Sequence, residues 1–173
     1  TITAGRGQRE THVLWYDAVT TDGSLQWQNK LGPKNKPFFD VCDGIFVNYT
    51  WPVTGPAASA VAAGSRRYDV FMGVDVFGRG TYGGGGMDCS RAAQVVLRAG
   101  ASLALFAPGW VLETLSDVAG VSSGMSRMDR FLARNNVFWG RLQAGWTASQ
   151  RTVGYGSGAS SVEADAGAGA GAA

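Results

Sequence analysis

Four short apolar runs punctuate the chain: residues 12–16 (HVLWY), 44–47 (GIFV), 70–74 (VFMGV) and 102–106 (SLALF). Each is rich in β-branched or aromatic residues and apolar at most successive positions. Continuous rather than alternating hydrophobicity is the pattern of strands covered on both faces, as in a parallel sheet. The runs recur about every 30 residues, the length of one strand-helix unit. Helices are expected between them. Residues 25–31 follow Asp22-Gly23-Ser24, a capping stretch, and 56–63 are alanine-rich and close at Gly64. Residues 90–99 have Asp88 or Ser90 as N-cap and Gly100 in the C′ place, and 112–115 and 131–142 suggest closing helices. Alternating strands and helices predict an α/β fold around a parallel sheet.

Parallel strands share a direction, so the residues that follow them gather at one end. Asp17 follows the first run, Asn48 the second, Asp75 the third and Pro108-Gly109-Trp110 the fourth. In α/β sheets and barrels that end carries the site. The expected site is Tyr16, Asp17, Asn48, Tyr49, Trp51, Asp75, Phe77 and Trp110, with Trp27 reaching in from the segment after the first strand. Asp43 and Asp69 precede their strands and belong to the opposite end, where they would serve stability.

Composition narrows the chemistry. The chain has 173 residues, net charge +2 and 16% charged residues, which gives no footprint for nucleic acid. No apolar run approaches the ~20 residues of a membrane span. One histidine and two isolated cysteines, Cys42 and Cys89, make neither an imidazole metal site nor a disulfide framework, and no metal or cofactor is expected. Six tryptophans suit flat ring substrates or a core equally well. Residues 1–10 are poorly defined by pattern, 11–146 read as one domain, and the Gly/Ala/Ser tract in 147–173 reads as a disordered tail.

The stretch VDVFGRGTYGGGG contains Gly78-x-Gly80-x-x-Gly83 between a strand and a helix, the order of a dinucleotide-binding turn. That reading needs an acidic residue about 20 positions on, and residues 91–112 contain no Asp or Glu. No Gly-Lys-Ser/Thr follows either. A flexible glycine-rich loop is the expectation that remains. Strand-end carboxylates flanked by aromatics are the equipment of glycoside hydrolysis. Asp17 and Asp75 are a candidate pair, and equally candidates for simple loop caps.

The segments LWYDAVTTDGSLQWQNKL, NKPFFDVCDGIFVNYTW, RRYDVFMGVDVFGRGTYGGGG, SLALFAPGWVLE and FWGRL together resemble the cytosolic-type endo-β-N-acetylglucosaminidases, glycoside hydrolase family 85, from about residue 13 to residue 142. The resemblance implies a partial (β/α)₈ TIM barrel, roughly strands five to eight with their helices. It implies cleavage of the β-1,4 bond in the N,N′-diacetylchitobiose core of N-glycans, in the cytosol. The implied mechanism is retaining and substrate-assisted, the 2-acetamido oxygen attacking its own anomeric carbon to give an oxazolinium. Tyr16 matches the family tyrosine at the acetamide or oxazoline, and so takes part in catalysis. Trp27 and Trp51 match cleft aromatics, and Asn48 and Asp75 match strand-end positions facing the site.

The family's catalytic Asn-x-Glu motif occurs nowhere in this chain. The expectation is therefore a fragment that is inactive alone, whose partners are N-glycans or free oligosaccharides and the missing N-terminal half of a barrel. The alternative is a non-catalytic glycan-binding module. The segment after Trp51 (PVTGPAASAVAAG) is poorer in charge than the family's usual pattern, and the Gly/Ala tail is foreign to the barrel.

Overall fold

A computed structural model describes residues 11–115 and 124–152. Its centre is a four-stranded sheet built from β1 (Leu14–Tyr16), β2 (Gly44–Val47), β3 (Val70–Asp75) and β4 (Ser102–Phe106), in the order β1-β2-β3-β4 and parallel throughout. Sequential order with every pair parallel demands a crossover after each strand. The helices supply the crossovers: α1 (Lys36–Val41), α2 (Gly55–Ala63) and α3 (Cys89–Arg98), with α4 (Trp110–Glu113) and α5 (Arg127–Thr152) following β4. This is α/β architecture, consistent with part of a TIM-like barrel.

The register sorts the side chains into two faces. Tyr16 lies beside Phe46, Phe46 beside Phe71 and Asp75 beside Phe106. The intervening residues Ile45, Val47, Val70, Met72 and Val74 point the other way and are fully buried. They pack with Phe39 of α1, Ala92, Ala93 and Val96 of α3, and Phe138 and Leu142 of α5. This helix-covered layer is the core. The opposite face is filled more thinly, by large rings lying over gaps left by glycine. A Cβ at Gly73 would come 3.1 Å from the Phe46 ring and 2.6 Å from the Val47 carbonyl oxygen. That face is open at both sides of the sheet, where Leu14, Tyr16 and Phe106 are exposed. Buried-on-both-faces therefore describes β2 and β3, not β1 and β4.

Two helices follow the expected chemistry. A proline in the first turn starts α2 and Gly64, at φ 62°, ends it, while Gly100 at φ 74° stands after α3. The helix expected over 25–31 does not form. The Asp22 carboxylate accepts hydrogen bonds from the Thr20 hydroxyl and the Ser24 N–H, which lowers its pKa to about 2 and closes a turn rather than capping a helix. Val19 and Leu25 then pair as an antiparallel bridge, and the following N–H groups are claimed by Asp17. In its place the segment adds α1, six residues with proline in the first turn, which no periodic pattern announced.

At the end opposite the site, Asp43 accepts the Val13 N–H at 2.6 Å. Asp69 pairs with Arg66, whose guanidinium also donates to the Phe39 and Cys42 carbonyls and lies 4.3 Å from the Phe39 ring. Both aspartates tie strand beginnings to their neighbours. Helix α5 carries residues 147–152 of the expected tail, because no Pro interrupts the stretch after Leu142 and the first Gly beyond Gly145 is Gly154. Residues 153–173 and 1–10 lie outside the described residues.

Candidate functional site

At the C-terminal end of β1 the strand delivers two side chains with opposite fates. Tyr16 points to the open face with 45% of its surface exposed, whereas Asp17 turns inward and is 1% exposed. A buried carboxylate needs hydrogen-bond donors. Asp17 receives the Gln28 N–H at 3.1 Å, the Asn29 N–H at 2.8 Å and the Asn35 Nδ2–H at 2.9 Å. Burial pushes its carboxyl above the ordinary value while these donors oppose the rise. Asp17 is thus the anchor of the 26–30 loop, and Asn29 adopts a left-handed φ of 55° there.

That anchorage places Trp27. Its Nε1–H donates to the Tyr16 hydroxyl at 3.2 Å, and the hydroxyl donates to Asn48 Oδ1 at 3.3 Å. The Asn48 Nδ2 donates to Asn29 Oδ1 at 2.7 Å and to Thr50 Oγ1 at 3.0 Å. Thr50 in turn donates to Asn29 Oδ1 at 2.6 Å. Tyr16 and Asn48, at the ends of their strands, therefore meet Trp27, which reaches in from the segment after β1. Asn29, Thr50 and Asn35, which complete the network, were not among the expected residues. The Tyr16 hydroxyl makes the longest bonds of this network, and its side chain is exposed.

A second group forms at the ends of β3 and β4. Asp75 is 0% exposed and takes a two-pronged salt bridge from Arg79, with Nε to Oδ2 at 2.7 Å and Nη2 to Oδ1 at 3.0 Å. The backbone N–H groups of Arg79 and Phe77 add to it. The guanidinium holds the Asp75 carboxyl below the ordinary carboxylate range. It also lies over Phe77 at 5.4 Å and Phe106 at 5.6 Å, and Tyr49 stacks on Phe106. Phe77 and Tyr49 thus keep their places at the strand ends, but Asp75 faces Arg79 rather than open space.

The geometry bears on three expectations. Trp51 is 2% exposed: its Nε1–H donates to the Gly73 carbonyl at 2.7 Å and its ring stacks on Tyr82, so it is core and presents no face to a sugar. Trp110 is half-buried, with Arg134 4.0 Å over its ring, and a Cβ at Gly86 would come 3.1 Å from that ring, so Trp110 sits between α5 and the glycine loop. That loop is not slack. Gly86 N–H closes on the Val76 carbonyl at 2.7 Å, and a Cβ at Gly78 would come 2.2 Å from the Gly84 carbonyl oxygen. Glycine is required by backbone packed on backbone at positive φ, the opposite of a loop free to move.

The carboxylates decide what this surface does chemically. A general acid must hold a proton near neutral pH and reach the leaving oxygen. Asp75 is held ionised by Arg79, and Asp17 is enclosed by N–H donors. Both carboxylates anchor loops through backbone N–H groups. Among the described residues no group of three or more His, Cys, Asp or Glu converges on a metal position. Cys89 is buried, which raises its thiol to about 11.

Comparison with known proteins sets this site in context. The family model described as glycosyl hydrolase family 85 matches residues 2–165. The chain is 48% identical over 134 residues to cytosolic endo-beta-N-acetylglucosaminidase 1 of Arabidopsis thaliana, covering 78% of this chain and 18% of that protein. It is 44% identical over 131 residues to the cytosolic endo-beta-N-acetylglucosaminidase of Homo sapiens, covering 76% and 16% respectively. The Gallus gallus protein of the same name is 41% identical over 131 residues, 76% of this chain and 16% of its own length. The chain spans less than a fifth of the length of these relatives.

Proposed function

Because the chain belongs to glycosyl hydrolase family 85, we propose that it supplies the substrate-orienting side of an endo-β-N-acetylglucosaminidase cleft, and that the proton-donating side lies elsewhere in the complete enzyme. The substrate is the chitobiose core of N-glycans, on glycoproteins or as free oligosaccharide, and the compartment is the cytosol, as the names of the relatives suggest. The four strands correspond to the second half of a barrel, five to eight. The first half is the natural partner of the open sheet edges at β1 and β4.

The observation that carries this reading is the Trp27–Tyr16–Asn48 chain of hydrogen bonds on the open face. In the substrate-assisted route the acetamide oxygen attacks the anomeric carbon, so the acetamide has to be held in one orientation. The Tyr16 O–H swings from its long bond with Asn48 to the acetamide. Trp27 keeps that hydroxyl in place from the other side and offers its half-exposed ring to the sugar face. Asn48, locked by Asn29 and Thr50, sets the direction of the exchange. The missing Asn-x-Glu and the anchored aspartates agree in assigning this chain orientation and binding rather than proton transfer.

Titration of the 173-residue chain with a chitobiose-core glycan, followed by tryptophan fluorescence, tests the assignment. Wild type is expected to saturate. Trp27→Ala is expected to weaken binding about tenfold or more, equivalent to about 1.4 kcal/mol, with unchanged thermal stability because the side chain is half exposed. Equal affinity for wild type and Trp27→Ala would remove Trp27 from the site.

A further inference from the structure

Asn48-Tyr49-Thr50 is an Asn-x-Ser/Thr sequence with x other than proline, the acceptor signal for N-linked glycosylation, and no second one occurs in the chain. Acceptor asparagines belong on surface loops of secreted proteins. This one is only 8% exposed. Both of its amide protons are engaged, since Nδ2 donates to Asn29 Oδ1 at 2.7 Å and to Thr50 Oγ1 at 3.0 Å. The Thr50 hydroxyl, the other half of the signal, gives its own proton to Asn29 Oδ1 at 2.6 Å. The folded chain therefore holds the signal closed. A sugar on Nδ2 would need the space that Asn29 and Thr50 occupy.

The unfolded chain holds the signal open, and its closure waits for residues made later. Strand β2 has to pair on both sides, with β1 and with β3. Trp51, next to the signal, is enclosed only when its Nε1–H reaches the Gly73 carbonyl and its ring meets Tyr82. Tyr82 lies about 34 residues beyond Asn48, about 2–7 s of synthesis at about 5–20 residues per second. Pairing of non-local strands is itself slow. A transferase acting on the emerging chain thus meets Asn48 before the fold encloses it.

We propose that Asn48 is a latent N-glycosylation site whose modification and native packing exclude each other, so that the chain completes its fold only where no N-glycosyl transfer occurs. In the transfer, Asn48 Nδ2 attacks the anomeric carbon of a polyprenyl-diphosphate-linked oligosaccharide. The C–N bond forms and the C–O bond to the diphosphate breaks. The diphosphate leaves with that electron pair, and a base of the transferase takes one amide proton. The single proton left on Nδ2 cannot serve both Asn29 and Thr50, and the sugar parts them. This is a physical reason, independent of any relative, for keeping the chain out of the secretory lumen.

The test makes the full chain twice in one eukaryotic cell type, once in the cytosol and once behind a cleavable secretory leader. The lumenal chain is expected to gain the mass of one oligosaccharide at Asn48 and to lose the cooperative urea transition of the cytosolic chain. Thr50→Val removes the hydroxyl that the transferase requires, and the lumenal variant should carry no sugar. With synthesis of the lipid-linked donor blocked, the lumenal wild type should recover the cytosolic urea midpoint. An unmodified lumenal chain, a modified chain with the cytosolic midpoint, or a folded cytosolic chain that accepts the oligosaccharide at Asn48 in vitro would each overturn the proposal. So would a lumenal chain that stays unfolded with the donor blocked, since its failure would owe nothing to Asn48. Mass and unfolding report on Asn48 whether or not the network around it binds glycan.

Discussion

Trp51→Ala is expected to lower stability to unfolding by about 3–5 kcal/mol, the range for removing a large buried aromatic. The indole is enclosed between the segment after β2, Gly55 at the start of α2, and Tyr82 of the glycine loop. Its removal leaves a cavity and strips the Gly73 carbonyl of its 2.7 Å donor. A domain is stabilised by only about 5–15 kcal/mol in total, and both edges of this sheet are unpaired among the described residues, so most of the folded population is expected to disappear. Trp51→Phe retains much of the ring and loses only the N–H, for a smaller cost of about 1–3 kcal/mol. Urea unfolding of the three proteins measures both. A stable Trp51→Ala protein with impaired glycan binding would return Trp51 to the cleft.

Asp17→Asn is the second large effect, although the two side chains have the same shape. Three donors converge on the carboxylate, from Gln28, Asn29 and Asn35. An amide offers one oxygen and turns an NH₂ towards the remaining donors, leaving at least one of them buried and unpaired at a cost of about 1–3 kcal/mol. The loop that positions Trp27 is then released. Lower stability, a red-shifted tryptophan emission and weaker glycan binding are expected together. A carboxylate acting in acid–base chemistry would behave differently: its amide variant would fold as stably as wild type and bind glycan normally.

What the sequence revealed follows from the range over which each signal acts. The strands were legible because their apolar runs are contiguous and longer than any loop tolerates. Tyr16 and Asn48 were legible because a parallel sheet brings the ends of neighbouring strands together whatever lies between. Residues 25–31 misled because Asp22-Gly23-Ser24 has the composition of a helix cap, and the Asp17 carboxylate that overrides it claims N–H groups eleven and twelve residues further along the chain. Helix α1 was missed because six residues make less than two turns, too short for periodicity to register. Trp51 and Trp27 look alike as isolated aromatics near strand ends. Only the direction of each side chain, inward to the Gly73 carbonyl or outward beside Tyr16, separates core from cleft. Asp75 and Arg79, four residues apart in one loop, are a local pair whose geometry depends on glycines packed too tightly for any side chain.

The role proposed for this chain is to grip the glycan core and leave proton donation to other parts of the enzyme. The most direct test is to incubate the purified 173-residue protein with a high-mannose glycopeptide, following tryptophan fluorescence and released oligosaccharide in the same sample. Saturable binding without release, lost in Trp27→Ala, is the predicted result. Steady release of oligosaccharide by the wild-type chain would contradict it, because a proton donor would then have to lie within these residues.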